Sequence, residues 1–185
     1  MPSWSRVATR LRVPLGFAFA AVYVWFAHPN WLSIAAGAVV TGVGLLIRAA
    51  ASGHIRKNAQ LTTTGPYAYV RNPLYLGSIL IAVGFIVAAR NWWIGLAALA
   101  MFAFIYIPVV RAEETYLRSV FPEFEKYCTH VSRFFPRFTA YVSDNAGNNE
   151  GVSFSRQLYM KHREYNALIG SLVMLAVLIL KMVWV

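Results

Sequence analysis

Five apolar segments fill nearly half of the chain and limit what it can fold into. They are "VPLGFAFAAVYVWFA" (13–27), "WLSIAAGAVVTGVGLLI" (31–47), "PLYLGSILIAVGFIVAA" (73–89), "WWIGLAALAMFAFIYIPVV" (92–110) and "ALIGSLVMLAVLIL" (167–180), the last extended by "KMVWV". A membrane-spanning helix needs about 20 mostly apolar residues, with a range near 17–25. The third and fourth segments meet that requirement as they stand, and the first and fifth meet it once flanking residues join them. Only 13% of the 185 residues are charged, against roughly 25% in an average soluble domain. The expected fold is therefore all-α: one integral membrane domain over 1–185, a polytopic bundle of about five transmembrane helices. Pro108 is expected to kink the fourth helix near its end. With a single cysteine, Cys128, no intrachain disulfide can form, and a lone Cys reads as a small apolar filler.

The charges then predict topology. Of 17 basic residues, 15 fall before the first segment, between the second and third, or between the fourth and fifth; Arg90 and Lys181 lie on the other side. The positive-inside rule makes the rich side cytoplasmic. The net charge of +10 is thus a topology signal, not a sign of nucleic-acid binding. Trp25, Trp31, Trp92, Trp93 and Trp184 fall near the opposite interface, where indole rings favour the headgroup level. No small-x-small cleavage site follows the first apolar run, so it reads as a membrane helix rather than a signal peptide. Gly37, Thr41 and Gly44 share one face of the second helix, and Gly77 and Gly84 one face of the third. Close helix packing explains both sets, and room for a ligand beside Gly77 is the other reading.

Polar chemistry concentrates in two places. In "LTTTGPYAYVRNPLYLG" the pair Gly65-Pro66 marks a turn, Asn72 is a good N-cap and Pro73 a good first helical residue. The third helix then starts with its free N–H groups and positive dipole end at the cytoplasmic surface, next to Arg71. In "RAEETYL" (111–117) two adjacent carboxylates, Glu113 and Glu114, lie at the dipole's negative end. A solvated helical continuation with an Arg111/Glu114 pair explains them; a site for a cationic amine is the alternative, because ionisable residues at membrane depth carry function by default.

These two stretches, followed by "FPEFEKYCTHVSRFFP" (121–136), resemble the isoprenylcysteine carboxyl methyltransferase family and the wider group that includes phospholipid N-methyltransferases. That group shows Arg-His-Pro-x-Tyr, then Gly, a hydrophobic stretch and Glu-Glu; the residues here are Arg71, Asn72, Pro73, Leu74, Tyr75, Gly77, Glu113 and Glu114. The likeness covers about residues 54–137. It implies S-adenosyl-L-methionine as methyl donor, held at the cytoplasmic face by Gln60, Leu61, Thr62, Gly65, Tyr67, the run Asn72 to Tyr75, and Gly77, with Glu113 or Glu114 on the methionine amine. It implies no metal. The family's usual His is Asn72 here, which still hydrogen-bonds but carries no proton near neutral pH.

A carboxylate acceptor needs orientation rather than a base, and an arginine fork suits it, so Arg71 and Arg111 are the catalytic candidates together with Glu113. An amine acceptor would need deprotonation. The expected activity is methylation of a carboxylate on a lipophilic, isoprenylcysteine-like substrate, with membrane lipids around it and an open oligomeric state. Phospholipid or amine N-methylation is the alternative, as is an NADPH-dependent reductase of similar topology. The aromatic and basic stretch 121–140 reads as an interfacial cover over the cofactor site. The C-terminal helix, about 154–185, falls outside the resemblance.

Overall fold

The computed structural model describes residues 4–56, 61–142 and 153–184, and all regular structure among them is helical. The long elements are α1 (Trp4–Phe26), α2 (Trp31–His54), α3 (Pro73–Ala89) and α4 (Trp92–Val120). Two short helices follow, α5 (Phe124–His130) and α6 (Arg156–Lys161), and then α7 (Tyr165–Trp184). α2, α4 and α7 are each long and apolar enough to cross a membrane, while α3 and the 14–26 part of α1 are shorter apolar helices. The expected membrane bundle is present. α3 coincides with its apolar segment, while α1 runs beyond its own at the N-terminal side and α2 and α4 beyond theirs at the C-terminal side, where polar residues continue the helical hydrogen bonding.

α2 and α3 pack antiparallel along their glycines. A Cβ on Gly44 would lie 2.6 Å from the Gly77 carbonyl oxygen, and one on Gly84 would lie 2.6 Å from that of Gly37. Backbone faces backbone here, so no side chain can yield, and only glycine allows the approach. Of the two readings of Gly77, helix packing fits: its missing Cβ faces Gly44 and the Arg48 stem.

α4 contains a π-helical turn over Phe102–Tyr106, directly before Pro108. Proline removes one N–H and crowds the carbonyl four residues back. The widened turn accommodates this inside a continuous helix, so the expected kink takes the form of a π-bulge.

The helix ends sort into two groups. At one end the His28 amide donates to the Ala89 carbonyl and Asn91 Nδ2 donates to the Phe26 carbonyl. Lys181 belongs to this basic-poor end for a structural reason. Its Nζ donates to the carbonyls of Val24, Trp25 and Ala27 at 2.7, 2.9 and 2.7 Å, satisfying the C-terminal carbonyls that α1 leaves open. The five tryptophans named above lie at this end, each more than half exposed. The opposite end carries the polar turns, and the candidate site forms there.

Candidate functional site

The turn 61–72 is held from two directions. Gly65 adopts φ +59, a left-handed conformation that glycine takes at little cost, and its missing Cβ leaves room for the His54 ring. From the other side, residues 131–141 run alongside the turn. The amides of Arg71, Arg137 and Tyr141 donate to the carbonyls of Ser132, Tyr69 and Ala68, and Tyr127 Oη donates to the Tyr67 carbonyl at 2.6 Å. Leu61, Phe124, Tyr127 and Val131 form a small apolar core beneath this layer. The expected cover over the site is thus a packed layer pinned to the motif turn.

Between the turn, the start of α3 and the end of α4 lies a cleft enclosing about 120 Å³. Leu61, Thr62 and Tyr67 line it from the turn, Arg71 to Tyr75 from the head of α3, and Glu113 from α4. Four further expected residues lie off this wall, Glu114 among them. Gly65 shapes the turn against His54, Gly77 packs on α2, and Arg111 is exposed on α4. Gln60 lies outside the described residues. Sequence reasoning missed the apolar wall made by Ile55, Tyr116, Leu117 and Phe121. Among these, Tyr116 and Leu117 follow Glu113 by three and four residues, a spacing that puts them on its helical face.

The two glutamates have different roles. Glu114 is 4% exposed. Arg133 grips it with a fork, Nε to Oε1 at 3.0 Å and Nη2 to Oε2 at 2.6 Å. Asn72 Nδ2 donates to Oε1 at 3.1 Å, and Arg71 Nη1 stands 3.7 Å away. Glu114 is therefore a buried tie joining α4, the motif turn and the cover. Asn72 does occupy the N-cap position of α3, but its side chain makes no cap bond and turns to Glu114 instead. Donating Nδ2 to a charged carboxylate is a stronger bond than a neutral cap bond accepted by Oδ1, so the side chain is oriented for Glu114 and the expected cap bond does not form. Arg133, the residue that completes the tie, was missed because only the folded cover brings it to α4. Glu113 faces the cleft, accepts a hydrogen bond from Tyr75 Oη at 3.1 Å, and makes no ion pair with a described residue. Cys128 is more than filler: Arg71 Nη1 donates to its Sγ at 2.7 Å.

Two buried donors on the cleft wall, Tyr67 Oη and Arg71 Nε, have no partner among the described residues. Burying such a group without a partner costs about 1–3 kcal/mol. Burial pushes the phenol of Tyr67 well above its ordinary range, so it stays protonated and able to donate. Together with the open N–H groups of α3 and the Glu113 carboxylate, the wall offers donors for hydroxyl or carboxylate oxygens and an anion for an amine. Those are the polar groups of an amino-acid-bearing nucleoside, so the residues fit S-adenosyl-L-methionine. Among the described residues no group of three or more His, Cys, Asp or Glu is placed to hold a metal ion.

Residues 15–123 match the phospholipid methyltransferase family. The chain belongs to that family. The match spans α1 to α4 and so includes both halves of the cleft wall. The chain is 30% identical over 156 residues to the cobalt-zinc-cadmium resistance protein CzcN of Cupriavidus metallidurans, covering 80% of this chain and 71% of that protein. It is 34% identical over 142 residues to the nickel-cobalt-cadmium resistance protein NccN of Alcaligenes xylosoxydans xylosoxydans, covering 71% of this chain and 66% of that protein. No solved structure matches it significantly. The family makes the chain a membrane methyltransferase, and members of the family generally use S-adenosylmethionine.

Proposed function

We propose that this chain transfers a methyl group from S-adenosyl-L-methionine to a carboxylate on a lipophilic acceptor, at the cytoplasmic surface of the membrane. The observation that carries this reading is the pair of buried, unpartnered donors, Tyr67 Oη and Arg71 Nε, on the wall of a cleft that also presents Glu113. Bound cofactor would supply a methyl already activated as a sulfonium. The residues are left with positioning, a contribution that reaches several kcal/mol when reacting atoms are held in line. Glu113, steadied by Tyr75, holds the amine. Arg71 keeps its fork oriented through Cys128 and Glu114 and offers Nε to an anionic or polar group beside the methyl. Phospholipid amine methylation is the second reading, favoured by the family's own description, and it would require a base to take the amine proton.

Arg71 provides the test within the site. Arg71→Lys keeps the charge but loses the planar fork, so turnover at saturating S-adenosylmethionine is expected to fall at least about tenfold, or ~1.4 kcal/mol of barrier. Parent-like turnover would leave Arg71 as a topology residue. A panel of prenylated thiol acids, fatty acids and aminophospholipids, scored by S-adenosylhomocysteine release, supplies the acceptor. The metal-resistance names of the two relatives specify no acceptor.

The amino terminus and the cleft are assigned to the cytoplasmic side, from the 15-to-2 split of basic residues and the tryptophans at the other end. Cysteines introduced singly at positions 29 and 150, in a Cys128→Ser background, should label from opposite sides of the membrane. Labelling from the same side would refute a five-span topology.

A further inference from the structure

A second cavity, separate from the cleft, encloses about 370 Å³ among α1, α3, α4 and α7. Ligand pockets typically span roughly 300–1,000 Å³. Its wall is almost wholly apolar, with Phe19, Ile81, Phe85 and Met174 among the lining side chains. One end is polar, where Arg48 and Ser78 face inward. Arg48 donates to Ser78 Oγ at 2.5 Å and to the Leu74 carbonyl at 3.3 Å. Leu74 itself lines the cleft, so the guanidinium stands one helical turn along α3 from the proposed methyl-transfer site. The other side of the same guanidinium grips Glu164, at the head of α7, through Nε at 3.0 Å and Nη2 at 2.7 and 2.9 Å. Both side chains are largely buried, at 22% and 11% exposure.

An arginine fork at the mouth of an apolar chamber is costly to keep dry unless its charge is used or compensated. Here the compensation is a carboxylate from the C-terminal region, which the family match at 15–123 does not reach. We infer that Arg48 is the specificity-determining residue for the acceptor's anionic head, that the chamber takes the acceptor's single apolar chain, and that Glu164 is an internal carboxylate holding the fork until that head displaces it. Arg111, the second arginine expected from sequence, is exposed and off the cleft; Arg48 fills that role from α2. The planar fork matches a carboxylate on both sides of the exchange. This inference rests on the carboxylate reading above and assigns its acceptor site.

The test is equilibrium binding of radiolabelled palmitate and, separately, hexadecanol to the purified full chain in a non-ionic detergent. The parent should prefer palmitate by about tenfold, a typical margin for one charge-assisted contact. Glu164→Gln removes the competing carboxylate and should tighten palmitate binding by about tenfold or more, leaving hexadecanol unchanged. The double variant Arg48→Gln/Glu164→Gln leaves no orphaned charge. It should bind the two probes equally, with a parent-like thermal midpoint to show that it is folded. Equal binding of the two probes by the parent, unchanged palmitate affinity in Glu164→Gln, or preserved selectivity in the double variant would each overturn the inference. S-Adenosylhomocysteine binding by the parent is measured alongside. Its absence would defeat the methyltransferase reading, while palmitate selectivity would still report on the chamber.

Discussion

Glu114→Gln is expected to destabilise the protein by about 3 kcal/mol. The carboxylate is 4% exposed and compensates Arg71, at 12% side-chain exposure, and Arg133, at 37%. Removing one partner of a buried ion pair typically costs roughly 3–5 kcal/mol, because the remaining charge is stranded. The partial exposure of Arg133 screens its share and places the expectation at the low end. An amide oxygen at the place of Oε1 can still accept two of the three bonds, from Asn72 Nδ2 and Arg133 Nε, but it cannot balance the charge. The loss should appear as a lower thermal midpoint in detergent with no ligand present. Arg133→Gln should weaken the same tie less, since Arg71 and Asn72 still hold the carboxylate. A parent-like midpoint for Glu114→Gln would show that the tie is not structural.

Glu113→Gln should behave in the opposite way. Its partner within the protein is a neutral phenol, Tyr75 Oη, so the midpoint without ligand should barely move. Affinity for S-adenosylhomocysteine should fall about 10- to 150-fold, the worth of a charge-assisted hydrogen bond of roughly 1.5–3 kcal/mol. Cys128→Ser, which keeps an acceptor for Arg71, should lose much less. The two adjacent glutamates are thus separated by which measurement each one moves: ligand-free stability for Glu114, cofactor affinity for Glu113. If Glu113→Gln binds like the parent, Glu113 is not part of the cofactor site.

The membrane bundle was legible because apolar runs of helical length report directly on the solvent around them. The glycine seam was legible for a related reason: small residues at helical spacing have one principal use between packed helices. The motif turn and the glutamate pair could be placed near one another from the resemblance. Which glutamate points inward could not, since 113 and 114 differ by about 100° around a helix, and the direction of the cleft depends on where α4 meets the cover. Arg133, 19 residues further along the chain, has no local pattern linking it to Glu114. Asn72 takes the N-cap position expected of it but not the cap bond, because that bond is a local preference and the distant Glu114 carboxylate holds its side chain. Arg48 looked like one more topology charge at a helix end. Its fork on Glu164 spans 116 positions of sequence and depends on the docking of the C-terminal helix, where Phe154 packs against Gly53 and the Ser155 amide donates to the Gly53 carbonyl.

Isothermal titration of the purified chain with S-adenosylhomocysteine, and in parallel with NADPH, tests the central claim most directly. The account predicts one saturable site for S-adenosylhomocysteine, weakened at least about tenfold by Glu113→Gln, and no heat of binding with NADPH. Binding of NADPH instead, or no binding of either compound by a folded parent protein, would contradict it.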